Sequence, residues 1–369
     1  MNVLIISTHD QQGGAAIAAY RLLEALNRSG VAANMLTLHK RSDNDNVVEV
    51  GNNIFNKYRF TAERAAIYIQ NGFSRKNLFD ISIANTGVSI TNYPAFKRAD
   101  IVHLHWINQG MLSVREIGEI VASGKKIVWT MHDMWSFTGI CHHARECKRF
   151  ETGCGLCPYL NNPSKGDISY NTYLRKQAAY SLGRIHFVAC SNWLKELALK
   201  SKLTKNHNVS AIANPINTET YIPKDKATVR IAMKLAIDKK IILFAAAKVS
   251  DKRKGIDYLI EASKIIAQKD NNNYMFLIAG GNSEEIINQL ALPAVSVGYV
   301  ASSEMPNLYN AADLFVTPSL QENLPNTIME SMACGTPCVG FNIGGIPEMI
   351  DHKQNGYISN YKDAQDLAN

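Results

Sequence analysis

Short apolar runs separated by helix-length intervals constrain the fold of this chain more than any other feature. Residues 3–6, 34–38, 101–104, 127–131 and 185–189 are such runs. Continuous apolar stretches of this length read as strands buried on both faces, the situation of strands in a parallel sheet. The first run leads into a loop, STHDQQGGAA, and then a helical stretch over 15–27 closed by Gly30. Strand, glycine-containing turn and helix make the opening unit of an α/β sheet.

After Asn214 and Pro215 the pattern starts again. Runs at 241–246, 275–279, 294–297, 314–316 and 336–339, with a helix over 255–268, predict a second sheet of the same kind. At 369 residues the chain is longer than one core usually supports. We therefore expect two doubly wound α/β domains, 1–213 and 214–369, binding ligand where the carboxyl ends of their strands face a common cleft.

Charge and compartment narrow the ligand class. Lys plus Arg outnumber Asp plus Glu by 39 to 32, a formal charge of +7, which favours an anionic ligand or surface without requiring nucleic acid. The start, MNVLIIS, has no cationic leader before its apolar run, and no apolar stretch reaches the ~18 residues of a membrane span. A cytoplasmic protein is the expectation, and its seven cysteines suit that compartment as thiols or metal ligands.

In PSLQENLPNTIMESMACGTP, Glu322 and Glu330 are separated by seven residues. Pro325 suits the first position of a helix, which puts Glu322 in a loop and Glu330 inside the helix. The backbone N–H groups of residues 326–328 and the Thr327 hydroxyl then offer a diphosphate site. Glu330, one turn on, reaches a ribose diol, and Glu322 accepts from sugar hydroxyls. The spacing alone also fits a capped surface helix with two unrelated acids.

The passage as a whole resembles the retaining glycosyltransferases of family 4, with their E-x7-E motif and a small-residue turn, here Cys334-Gly335-Thr336-Pro337. Further elements of the likeness are Gly13-Gly14, Thr-Met-His-Asp at 130–133, Lys-Gly-Ile-Asp at 254–257, Ala-Gly-Gly at 279–281 and Gly-Tyr-Val at 298–300. The resemblance implies the GT-B fold, two Rossmann-like domains facing a central cleft, with acceptor on the first and nucleotide sugar on the second. It also implies further helices beyond Asn369, the last of which returns to the first domain.

Roles follow position by position. Lys254 matches the lysine that stabilises the leaving diphosphate. Where family members carry Gly-Arg this chain has Ala247-Lys248, so either Lys248 or Arg253 supplies the second cation. Gly13 and Gly14 match the glycines that let backbone approach the donor. His132 matches a histidine that faces the donor sugar. Gly281 and Val300 match backbone contacts to the base, and Leu324, Pro325, Asn326 and Thr327 line the donor.

The implied reaction moves a hexosyl-type sugar from a nucleoside diphosphate to a saccharide or lipid-linked saccharide, with retention and without a catalytic metal. Asp43 and Asp45 form an Asp-x-Asp, but in a polar loop of the other half, where it reads as a turn. A sugar-nucleotide epimerase and an inactive sugar-nucleotide-binding protein are the alternatives.

Two stretches lie outside this frame. CHHARECKRFETGCGLC at 141–157 puts Cys141, Cys147, Cys154 and Cys157 together, a set that can hold one structural zinc. Reversible disulfides or packed thiols fit the same spacing. With the preceding His-Asp-Met-Trp-Ser-Phe-Thr-Gly, the insertion resembles a subgroup of family 4 from bacterial exopolysaccharide and capsule synthesis. Residues 54–79 carry five basic residues against one acid, Glu63, among Phe55, Tyr58, Phe60, Tyr68, Phe73 and Phe79. That mixture reads either as an interfacial or acceptor-facing helix, in peripheral contact with the inner membrane face, or as a solvated helix with its apolar side on the core.

Overall fold

The computed structural model describes residues 1–51, 53–270 and 272–369. The chain divides into two compact units, Met1–Pro215 and Ile216–Asn369. The strands of the first are β1 (Asn2–Ile6), β2 (Ala32–Thr37), β3 (Val47–Glu49), β4 (Ile101–Leu104), β5 (Lys126–Met131), β6 (Ile185–Ala189) and β7 (Asn208–Ala211). They form one sheet in the order β3-β2-β1-β4-β5-β6-β7, every pairing parallel. In the second unit β8 (Lys240–Lys248), β9 (Tyr274–Gly281), β10 (Ala294–Gly298), β11 (Leu314–Thr317), β12 (Cys338–Phe341) and β13 (Gly356–Ser359) form another. Its order is β10-β9-β8-β11-β12-β13, again parallel throughout.

Alternation within the strands explains why both faces of each sheet are covered. In β1, Val3 and Ile5 pack with Ala19 and Leu23 of the helix Gly14–Arg28, while Leu4 and Ile6 join the large core on the opposite face. In β8, Ile241 and Leu243 serve one core and Ile242 and Phe244 the other. A strand with apolar residues at every position cannot leave a face to water, so helices cover both sides. Strands β3 and β13 escape the sequence reading. Both are short edge strands, with polar or half-exposed residues in place of a continuous apolar run.

Two glycines hold the loops at the carboxyl edge of the second sheet. Gly255 has φ +73, and a Cβ there would stand 1.7 Å from the Pro318 carbonyl oxygen. Gly344, at φ +59, would bring a Cβ within 1.9 Å of the Glu322 carbonyl oxygen. Both contacts are backbone against backbone, so no rotamer change relieves them. Among the described residues no helix is long and apolar enough to cross a membrane.

Candidate active site

In the second sheet β8 and β11 are neighbours, yet the chain leaves β8 toward β10 and returns to continue from β11 toward β13. The crevice beyond the carboxyl ends of such a pair is where open α/β sheets bind ligands. Here β8 ends in Lys248, the loop after it carries residues 249–254 and the loop after β11 carries Glu322.

Lys254 Nζ donates to Glu322 Oε1 in an ion pair. The two loops are joined by backbone as well. Leu320 N–H donates to the Arg253 carbonyl at 2.7 Å, and Gly255 lies on Pro318 as described. Gly345 N–H donates to the Asn323 carbonyl at 2.7 Å, fixing the far side of the Glu322 loop. The two candidates for a second cation differ in state. Arg253 donates to Asp251 through Nη2 at 2.7 Å and Nε at 3.1 Å, whereas Lys248 is exposed at the end of β8.

The helix after Glu322 spans Asn326–Ala333. Pro325 is its N-cap, at φ −69° and ψ 121°, rather than its first helical residue as the sequence suggests. Its φ suits either place, but an extended ψ delays the helix by one residue. Ile328 N–H donates to the Pro325 carbonyl at 3.1 Å, so one of the three amides expected to face a diphosphate is already engaged. Thr327 and Leu324 are half-buried. Glu330 is buried and accepts a hydrogen bond from the Tyr309 hydroxyl at 2.8 Å. Gly281 closes β9, and Val300, beyond the end of β10, packs on the core.

The first unit has its own reversal between β1 and β4. Gly13 caps the helix that follows β1 at φ +88, with nothing within 4 Å of where a Cβ would stand, so it serves backbone conformation rather than space. Gly14 opens that helix, and both glycines are exposed. His132 directly follows β5. Its Nε2 meets His105 Nδ1 at 2.9 Å, and Cys190 Sγ stands 3.8 Å from its Nδ1. Next to it Asp133 accepts from Trp106 Nε1 at 3.0 Å, from the Trp135 amide at 2.8 Å and meets His142 Nδ1 at 2.7 Å.

Burial sets the charge state of this cluster. It lowers His132 to about 4 against a small opposing pull from Asp133, and lowers His103 to about 3. His105 is likewise held well below its usual value, by burial first and then by His103 and His132. Burial works the other way on Asp133, raising it, but His142 beside it and the hydrogen bonds it accepts outweigh that and take it down to about 2. At neutral pH the ring of His132 is therefore uncharged, able to donate from one nitrogen and accept at the other.

The sign of the pH dependence follows. Unfolded histidines bind protons near pH 6.5, and these folded ones resist until about 4 or lower. The unfolded state thus binds more protons across that window, and stability falls as pH drops through it. All four tryptophans, Trp106, Trp129, Trp135 and Trp193, lie in the first unit. The urea midpoint followed by tryptophan fluorescence should be flat above neutrality and fall steadily from about pH 6.5 downward. A midpoint unchanged down to pH 5 would contradict the neutral cluster.

Sequence reading missed His105, Trp106, Asp133 and Tyr309. The only signal for the first two is HLHW at 103–106, where side chains alternate across β4. Its relation to His132 depends on the β4–β5 register, which pairs Leu104 with Trp129.

The four cysteines of the insertion line one small cavity of about 20 Å³ together with Phe150 and Tyr159. Among the described residues, however, no three His, Cys, Asp or Glu side chains are arranged to hold a metal ion. Within the set expected to hold zinc, Cys141, Cys147, Cys154 and Cys157, burial favours the thiol form of Cys141, Cys154 and Cys157. It pushes Cys154 and Cys157 up to about 11 and Cys141 higher. Cys154 Sγ accepts from the Gly139 amide at 3.2 Å. Cys190, Cys334 and Cys338 are buried.

Residues 12–220 match the family described as Glycosyltransferase Family 4, and residues 239–369 match the one described as Glycosyl transferases group 1. An uncharacterized glycosyltransferase of Methanocaldococcus jannaschii is 27% identical over 307 residues, 76% of this chain and 76% of that protein. The amylovoran biosynthesis glycosyltransferase AmsK of Erwinia amylovora is 30% identical over 145 residues, 36% of this chain and 35% of its own length. Among solved structures, sucrose-phosphate synthase of Thermosynechococcus elongatus superposes with a TM-score of 0.66 at 18% identity, covering 100% of this chain and 88% of that one. HepE of Anabaena, solved with UDP-glucose, gives 0.60 at 15% identity, covering 100% and 88%. At such identities these likenesses speak for the fold alone, which is GT-B.

Proposed function

Since this chain belongs to glycosyltransferase family 4, we propose that it transfers a hexosyl-type sugar from a nucleoside diphosphate to a saccharide or lipid-linked saccharide, with retention, in the synthesis of a cell-surface polysaccharide. The observation that carries this reading is the Lys254–Glu322 pair at the β8–β11 crevice, next to the start of the Asn326–Ala333 helix. A cation and a helix N-terminus at one sheet edge suit a diphosphate, and the adjacent carboxylate suits sugar hydroxyls. The UDP-glucose bound by HepE and the amylovoran biosynthesis in the name of AmsK lend support.

In the proposed reaction the bond from the anomeric carbon to the β-phosphate oxygen breaks and the electron pair leaves with the diphosphate. The acceptor oxygen bonds the anomeric carbon on the same face, and its proton passes to the departing phosphate. Lys254 offsets the charge that builds on that phosphate, and its effect is greatest in the transition state. Lys248 is the better second cation, because the guanidinium of Arg253 is engaged by Asp251. Glu330, oriented by Tyr309, accepts from the ribose diol. His132 serves the sugar in this reading by exchanging one of its present partners, His105 at Nε2 or Cys190 at Nδ1, for a sugar hydroxyl. No step requires a metal.

A thermal-shift panel with UDP, GDP and ADP and their sugars tests the donor site. One nucleotide family should stabilise the protein by about 2.7 kcal/mol at a concentration 100 times its dissociation constant. If none raises the melting temperature, the donor site is wrongly assigned. Donor consumption without any acceptor, giving an epimerised sugar, would transfer the assignment to an epimerase.

A further inference from the structure

The helix Asn53–Gln70 is built inside out. Its inward residues include Asn56, Glu63, Arg64 and Ile67, all buried and three of them polar or charged. Asn56 Nδ2 donates to the carbonyls of Leu38 and Val50 at 3.3 and 3.2 Å. Glu63 accepts at one oxygen from Ser82 Oγ and from the amides of Ile83 and Ala84. Its second oxygen lies 2.9 Å from Arg64 Nη2. The inward side of this helix is therefore occupied largely by polar contacts.

Its outward side carries Ile54, Tyr58, Ala62, Ala65 and Ile69, all exposed, at the spacing of one helical stripe. Phe55 lies beside the stripe, and Phe73 and Phe79 follow the helix in the chain. Ile54, Phe55, Tyr58, Phe73 and Phe79 are each more than 60% exposed, an unusual number of large apolar side chains standing in water within 26 residues. Lys57, Arg75 and Lys76 are exposed among them. The only acid in 54–79, Glu63, points inward, and the next, Asp80, has Arg145 within 3.9 Å.

We propose that this face, from Ile54 to Phe79, is a docking surface for an anionic lipid bilayer. Apolar groups that insert and cations that meet headgroup charge are the two requirements of a helix lying on a membrane, and the one acid within 54–79 is buried. A second copy of the chain fits poorly, because a two-fold contact would set Lys57, Arg75 and Lys76 against themselves.

Co-sedimentation with phosphatidylglycerol–phosphatidylcholine vesicles, against phosphatidylcholine alone, tests this. The wild-type chain should pellet with the anionic vesicles and lose binding as salt rises. The triple variant Lys57→Glu, Arg75→Glu, Lys76→Glu should bind at least about fivefold more weakly per cation changed. Phe55→Ser, Phe73→Ser, Phe79→Ser should abolish pelleting even at low salt, while circular dichroism and tryptophan fluorescence stay native. Failure of the wild type to pellet at low salt overturns the proposal, as does equal pelleting of the variants or equal binding to neutral vesicles. A dimer in sedimentation velocity that the serine variant dissolves, without vesicle binding, would overturn it in favour of self-association.

Discussion

Lys254→Ala is expected to lower kcat/KM for sugar transfer roughly 10²- to 10³-fold, the range seen when one group facing developing charge is removed. Most of the loss should fall on kcat, since charge on the leaving diphosphate is larger in the transition state than in the bound donor. Stability should barely change. Lys254 is over a third exposed, and half-solvated ion pairs contribute at most about 1 kcal/mol. The backbone bond from Leu320 to Arg253 and the Gly255–Pro318 contact keep the loop in place without the side chain. Steady-state kinetics with the donor found by thermal shift, beside a melting curve for each protein, decide the matter. Unchanged kcat/KM would remove Lys254 from the chemistry, and a fall in melting temperature that matches the loss of activity would make its role structural.

The largest stability effect is expected at Glu63→Ala. The carboxylate accepts from Ser82 Oγ at 2.6 Å and from the amides of Ile83 and Ala84 at 2.8 Å each, and it faces Arg64. Alanine would leave two buried amides and the Ser82 hydroxyl without their acceptor, and the buried guanidinium, which still donates to the Leu78 and Ile81 carbonyls, without its counter-charge. Breaking a buried pair from one side costs about 3–5 kcal/mol. Because every tryptophan lies in the first unit, urea unfolding followed by fluorescence reads the loss where it occurs. A shift below about 1 kcal/mol would show that water replaces the carboxylate at little cost. Glu63→Gln keeps one acceptor oxygen and should recover part of the loss.

The central strands were legible because each is a continuous apolar run, a pattern that only burial on both faces explains. Strand β3, with Val48 and Glu49 exposed, has no such pattern and forms only because Met35 and Leu36 offer it a parallel partner. The Glu322 loop and the helix bearing Glu330 could be separated from sequence because proline limits where a helix begins. The state of Arg253 could not, since its pairing with Asp251 depends on a short turn over 252–254. Nor could the neutrality of His132, which depends on what buries it. Residues 54–79 announced their basic and aromatic content, but which side faces water depends on Glu63 finding the amides of Ile83 and Ala84.

The ion pair at the β8–β11 crevice means that Lys254 is not a vacant cation awaiting a phosphate. In the proposed reaction an arriving diphosphate displaces Glu322 from it, so that binding would be an exchange of anions and not a capture. The displaced carboxylate becomes available as the sugar enters beside it. Affinity for the nucleotide should then depend on salt less steeply than its charge suggests, because one protein–ligand ion pair replaces one already present within the protein.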